Sequence, residues 1–177
     1  KLFCPDWVAD NYDRYVDPTL QHLVLVLASV GFGFAIAFSL AILAHRHKWL
    51  SSPFLAATGV LYTIPSISFV FLLLPLTGRG RTTAIIALTA FTLQIIFRNT
   101  ITGLRNVPTE VTDAALRVGM TRQQLLRRVQ LPLAMPEIIA GLRIATVSTV
   151  ALATLAVFAN GGGLGAGGRR ACHVRGD

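Results

Sequence analysis

The chain has 177 residues, of which 53% are apolar and 14% charged. Soluble domains carry roughly 25% charged residues, so this composition excludes a water-soluble fold and a disordered chain, and it predicts an integral membrane protein. The net charge of +8 does not indicate nucleic-acid binding, because the charges are segregated along the chain rather than gathered on one face.

Four apolar runs predict membrane-spanning helices. They cover residues 20–44, 53–76, 82–97 and 138–159, and about 20 residues cross the hydrocarbon layer of a bilayer. The third run is short, but Arg79, Arg81 and Arg98 flank it and their side chains can extend to the headgroups. The sequence therefore predicts an all-α integral membrane protein with about four transmembrane helices.

Small residues recur four apart in the first run, at Gly31/Ala35 and at Gly33/Ala37. Such pairs let the backbone of another helix approach closely. We expect both pairs to serve helix packing.

Pro65 interrupts the second run within Tyr62-Thr63-Ile64-Pro65-Ser66. Proline lacks a backbone N–H and should kink the helix. A broken helix in a bilayer must face protein or a water-filled cavity. Tyr62, Thr63, Pro65 and Ser66 are therefore candidates for a translocation path, and the alternative is a kink that only shapes packing.

The distribution of charge predicts the orientation. Four aspartates lie in the N-terminal segment 1–19, whereas residues 45–48 are basic and seven arginines lie between Arg98 and Arg143 against three acidic residues. Because cytoplasmic loops carry the excess of Lys and Arg, we expect residues 45–48 and 98–137 inside. The N-terminus and the glycine-rich stretch near residue 162 are then outside.

Residues 99–136 form the long polar segment between spans, and we expect two short helices in it. Pro108 and Thr109 open the first, which stops at Gly119. Thr121 begins the second, with Gln124 completing a capping box. This second helix is predicted to end before Pro132.

The same segment carries a spaced motif that resembles a known family. An acid-Ala-Ala triplet is followed at fixed spacings by a glycine, an aliphatic residue and Leu-Pro. It is similar to the EAA loop of the permease subunits of bacterial ABC importers, with Asp in place of the usual Glu and Val in place of the usual Ile. The resemblance implies a coupling loop that docks on a separate ATP-binding cassette subunit, with these candidate ATPase-coupling residues: Asp113, Ala114, Ala115, Gly119, Val129, Leu131 and Pro132. The alternative is a helix pair lying on the anionic membrane surface.

Within that family, the chain most resembles permeases for osmoprotectants such as glycine betaine, choline and carnitine. The resemblance implies a transmembrane domain over residues 20–165 in the bacterial inner membrane, with three partners besides the bilayer: the ATPase, an extracytoplasmic solute-binding protein, and a second permease copy or paralogue. Methionine-type permeases share several motifs, so an amino-acid importer is one alternative, and a membrane scaffold or sensor without transport is another. The motifs are Leu61–Ser66, Arg98-Asn99-Thr100, Gly119-Met120-Thr121, Leu131–Ala134, Gly141-Leu142-Arg143 and Gly162–Gly165.

Several chemistries have no candidate residues in the sequence. The glycine run 161–168 lacks the lysine and hydroxyl of a phosphate loop, and Cys4 and Cys172 are too few for a metal site or a disulfide framework. We therefore expect no catalytic residues, no cofactor and no metal. The family pattern continues beyond Gly165 into another span, whereas residues 166–177 are basic and polar, so we expect this atypical tail to reflect truncation or a frameshift.

Overall fold

The computed structural model describes residues 13–155, and within that range the side chains of residues 13–15, 48, 61 and 62 lie outside the description. Every regular element in this part of the chain is helical, which confirms the predicted all-α fold. The elements are α1 (Asp13–Arg46), α2 (Lys48–Thr63), α3 (Ser66–Thr77), α4 (Arg81–Arg105), α5 (Thr109–Arg117), α6 (Arg122–Leu125), a π-helical turn (Leu126–Gln130) and α7 (Leu131–Ala153).

Three stretches of the described chain are long and apolar enough to cross a membrane: Val16–Arg46, Arg81–Arg105 and Arg122–Ala153. The second predicted span, 53–76, is instead divided between α2, with 16 residues, and α3, with 12. The division falls at Pro65, as predicted, and the backbone of Ile64 there is extended. The kink is therefore a complete break, since Pro65 cannot donate the hydrogen bond that would continue α2.

Helix α4 extends beyond the third predicted span, 82–97. Helix α4 runs for 25 residues to Arg105, so residues 99–105 belong to this helix and not to a loop. Arg98 lies on the exposed face of α4, while Thr100, Ile101 and Leu104 are buried. A cation on the exposed face leaves the backbone hydrogen bonds intact, and the buried residues that follow continue the helical period.

The predicted helix end before Pro132 is wrong. The backbone N–H of Leu131 bonds to the carbonyl of Leu126, five residues earlier, and the chain stays helical from Arg122 to Ala153. Pro132 lacks an N–H and its ring crowds the preceding turn. A single π-helical turn directly before it widens the spacing locally and lets the helix pass the proline without ending.

Helices α1 and α4 pack through small residues of the first run. Gly33 is buried, and a Cβ placed there would lie 3.0 Å from the Cβ of Thr92. Ala37 is fully buried in the same interface, in a cluster with Ile96 and Phe97. Gly31, by contrast, has open space around it. Of the two small-residue pairs, only Gly33/Ala37 lies at this helix contact.

Helices α4 and α7 approach each other at two glycines, one on each helix. A Cβ at Gly141 of α7 would lie 2.5 Å from the Cβ of Asn99 on α4. A Cβ at Gly103 of α4 would lie 2.8 Å from the Cβ of Glu137 and 3.1 Å from the carbonyl oxygen of Ala134 on α7. These distances leave no room for side chains, so the crossing depends on glycine at both positions.

Candidate functional site

Helix α5 ends in a tight corner at Gly119. Gly119 has φ +89°, in the region that L-residues rarely adopt. The N–H of Gly119 bonds to the carbonyl of Leu116 at 3.0 Å, and the N–H of Met120 bonds to the carbonyl of Ala115 at 3.2 Å. Together these two bonds are a Schellman motif, which ends the helix and reverses the chain, as the position of the glycine predicts.

The chain starts its next helix directly after this corner. The N–H of Gln124 donates to Oγ1 of Thr121 at 3.3 Å, and the N–H of Thr121 donates to Oε1 of Gln124 at 2.9 Å. This is the predicted capping box, and it satisfies N–H groups that the helix itself leaves without partners. Only two residues thus separate the glycine corner from α6.

The helix pair packs against the long helices through Leu126. Leu125 and Leu126 are buried, and Leu126 lies in a cluster with Leu104 of α4 and Ala134 and Ile138 of α7. Because α6 continues through the π-helical turn into α7, the corner is fixed to a helix long enough to cross the bilayer.

The acid-Ala-Ala triplet points in two directions. Ala115 is 9% exposed and packs inward, whereas Asp113 and Ala114 are exposed. Val111 and Val118, 40% and 82% exposed, lie on the same side of α5 as Ala114, because positions three and seven apart share a helix face. Val111 and Ala114, together with Val118 directly after α5, form an exposed apolar strip, called here the docking strip.

The remaining motif residues lie in the π-helical turn and at the start of α7. Val129 is half-buried in the π-helical turn, Leu131 is half-buried at the start of α7, and Pro132 is exposed. Leu131 packs against the Leu126 cluster. The structure thus divides the motif between α5 with its glycine corner and the segment of the π-helical turn and α7.

Two hydrogen bonds around this segment could not be derived from the sequence. Arg105 Nη2 donates to Ser51 Oγ of α2 at 2.6 Å, and His45 Nε2 of α1 lies 3.1 Å from Gln130 Oε1. The basic cluster 45–48 and the arginine-rich segment were predicted to lie on one side of the membrane, which is the only sequence signal for either contact. The spacing of the residues along the chain does not say which of them pair.

The candidate translocation residues at the break lie apart from this segment. Thr63 and Pro65 are exposed, and Ser66 is half-buried. Ser66 faces α4 across a gap of about 10 Å³ lined also by Val70 and Ala87, which is about the room of one water molecule. Tyr62 lies in the last turn of α2, and its side chain falls outside the description.

The described part of the chain is thus a helical bundle with three stretches long and apolar enough to cross a membrane and a short, exposed helix that ends at a glycine corner. The family described as "Binding-protein-dependent transport system inner membrane component" matches residues 24–171. The chain belongs to this family, and it is therefore an inner-membrane permease component. Family membership leaves no support for the alternative of a scaffold or sensor without transport.

Two relatives are permeases of osmoprotectant or choline transport. The chain is 38% identical to the osmoprotectant import permease protein OsmW of Salmonella typhimurium, over 90% of this chain and 76% of the relative. It is 36% identical to the choline transport system permease protein OpuBB of Bacillus subtilis, over 83% of this chain and 68% of the relative. Among solved structures, it is similar to the inward-facing MetNI methionine ABC transporter, with a TM-score of 0.76 and 25% identity over 90% of this chain and 81% of that chain.

Proposed function

We propose that this chain is the permease subunit of an ATP-driven importer for a compatible solute such as glycine betaine, choline or carnitine. The support for the solute class is that osmoprotectant and choline permeases are 36–38% identical to the chain, whereas the methionine transporter is 25% identical. Solute would be delivered by an extracytoplasmic binding protein, and ATP would be hydrolysed by a separate ATPase subunit.

The observation that carries the coupling role is the geometry of α5. Its docking strip exposes apolar side chains, and the glycine corner joins α5 to α6, which continues through the π-helical turn into α7. Exposed apolar side chains of this kind mark protein interfaces. We infer that the docking strip enters a groove of the ATPase, and that Asp113, Ala115, Gly119, Val129, Leu131 and Pro132 orient it.

A second permease, either a copy or a paralogue, would cover another exposed surface. Arg143 and Ser148 of α7 line an open groove of about 580 Å³ together with Ile139, Ile144 and Val147. An arginine at this depth is costly against lipid. We infer that this face of α7 lies against the second permease or the water-filled path between the two. The break at Tyr62, Thr63, Pro65 and Ser66 stays a candidate for the same path.

The orientation that this function needs has the N-terminus outside and the α5 corner in the cytoplasm, where ATP is available. The basic residues at 45–48 and 98–143 support it through the positive-inside rule. A permease in the opposite orientation would present the docking strip outside the cytoplasm, where no ATPase subunit could bind it. The proposed coupling role therefore requires the predicted orientation.

Cross-linking tests the docking. In a background with Cys4 and Cys172 replaced by serine, Ala114→Cys should cross-link to the ATPase subunit in membranes containing both proteins. Ala140→Cys is the matched control, since Ala140 is an exposed alanine of α7 outside the docking strip, and it should not. Cross-linking from Ala140 but not from Ala114 would contradict the docking role of α5.

Uptake tests the solute. Cells that carry the complete transport operon, and lack their other importers, should accumulate labelled glycine betaine, choline or carnitine in a manner that requires this permease. Labelled methionine should not accumulate. Uptake of methionine alone would favour the amino-acid alternative, for which the likeness to the methionine transporter is the supporting observation.

A further inference from the structure

A basic cavity lies between the end of α1 and the glycine corner, and its lining includes none of the seven candidate coupling residues and none of the candidate translocation residues. It has a volume of about 590 Å³, within the range of roughly 300–1,000 Å³ that is usual for ligand sites. His45, Arg46, His47 and Arg122 contribute its basic side chains. Among the described residues that line it, none is acidic.

The cavity has an apolar floor beneath these basic groups. Leu125 and Leu126 are buried there, and Leu116 of α5 contributes an exposed side chain. The hydrogen bond between His45 and Gln130 holds two of the lining residues in place. A ligand that fits has an anionic group next to an apolar one.

The position of the cavity along α1 indicates the membrane surface. The uncharged run of α1 ends at Ala44, and the basic residues His45, Arg46 and His47 follow at once. Trp49 of α2 is 75% exposed, as is usual for aromatic residues at the headgroup level. Leu43, 42% exposed, lies in the turn before the cavity. The cavity therefore opens where the headgroups of the bilayer meet its acyl chains.

We propose that this cavity, called here the α1–α6 groove, binds the headgroup of an anionic phospholipid. Arg46 and Arg122 contact the phosphate, and the leucine floor receives the start of the acyl chains. Arginine suits a phosphate because its guanidinium group offers several donors in a plane. A lipid in this groove would contact α1, α5 and α6 together and hold the glycine corner against the membrane.

Fluorescence quenching by brominated lipid tests this directly, because Trp49 lies two residues from His47. The full chain, with Trp7→Phe to leave Trp49 as its single tryptophan, is reconstituted in phosphatidylcholine bilayers containing brominated phosphatidylglycerol or, separately, brominated phosphatidylcholine. We expect phosphatidylglycerol to quench Trp49 preferentially. A hydrogen bond between a guanidinium and a phosphate contributes about a tenfold change in affinity, so Arg46→Gln with Arg122→Gln should lower the preference by about tenfold or more.

The matched control is Arg127→Gln with Arg128→Gln. Both residues are exposed and lie in the π-helical turn directly after α6, but they do not line the groove. The two substitutions remove the same charge as Arg46→Gln with Arg122→Gln. The control should keep most of the preference. An equal loss in both double variants would overturn the proposal, because the attraction would then be a general effect of surface charge. Each single variant is measured as well. An unchanged emission maximum and an unchanged melting temperature show that the loss of preference does not come from unfolding.

Two further measurements distinguish a bound lipid from other ligands of the groove. Millimolar inorganic phosphate, compared with chloride at equal ionic strength, should leave the preference unchanged, and its abolition by phosphate would assign the groove to a soluble anion instead. Addition of the ATPase subunit should also leave the preference in place. If bound ATPase abolishes it, the groove is a protein contact and the lipid assignment is wrong.

Discussion

Replacing Gly119 with valine perturbs the corner between the docking strip and α7 without touching any packed side chain. A Cβ at Gly119 would meet nothing within 4 Å, so steric overlap with neighbours is not the cause of the expected defect. The cause is the backbone, since φ is +89° at this residue and a β-branched side chain is strained there. Valine should therefore leave the long helices inserted and folded.

The size of the effect follows from the conformational cost. Holding a non-glycine residue in a rare backbone region costs about 1–3 kcal/mol. The alternative is to open the corner, which breaks the two Schellman bonds at about 0.5–1.5 kcal/mol each. Keeping the strained backbone and opening the corner therefore cost about the same free energy. The valine variant will populate open geometries of the corner as well as the native one. A loss of about 2 kcal/mol shifts that equilibrium about 30-fold.

The assay is ATP hydrolysis and solute uptake in proteoliposomes that contain the ATPase subunit and the solute-binding protein. We expect Gly119→Val to reduce uptake at least tenfold and to abolish the stimulation of hydrolysis by loaded binding protein. Gly119→Asn should recover a large part of both activities, because asparagine tolerates positive φ better than other L-residues. Gly31→Val is the control, since Gly31 has open space and ordinary helical φ.

Normal uptake and normal stimulation in Gly119→Val would refute the reasoning, because the corner would then not transmit movement between α7 and the docking strip. An equal defect in the Asn and Val variants would also refute it. In that case a feature other than backbone strain at Gly119 would be responsible.

Three further predictions concern packing, orientation and nucleotide. Gly141→Ala should lower the melting temperature in detergent, because its Cβ would lie 2.5 Å from that of Asn99 and overpacking costs about 1–3 kcal/mol; Gly31→Ala, in open space, should not lower it. A cysteine at Gln123 should react with an impermeant reagent only after lysis, whereas Cys4 should react in intact cells; the reverse would invert the orientation. The isolated chain should show no nucleotide-dependent thermal stabilisation, and a shift with Mg-ATP would contradict the assignment of hydrolysis to a separate subunit.

Local chemistry in the sequence was enough to predict the α5 corner and the start of α6. A positive φ needs glycine, and a capping box needs only Thr121 and Gln124, three residues apart. Both features depend on residues next to one another along the chain, so no tertiary contact is required to form them. The break at Pro65 follows in the same way, because a missing N–H acts within one helical turn.

Helix ends and helix contacts required the tertiary structure. Arg98 looks like the end of a span until its exposed position on α4 is known, and Pro132 looks like a helix stop because a π-helical turn gives no sequence signal. The sequence contains the glycines at 103 and 141, but only the crossing of α4 and α7 places Gly141 against Asn99. Which pair of small residues packs, and which arginines line the α1–α6 groove, depends on how the helices rotate about their axes. That rotation is set by the packing of all the helices together, and it cannot be read from one segment at a time.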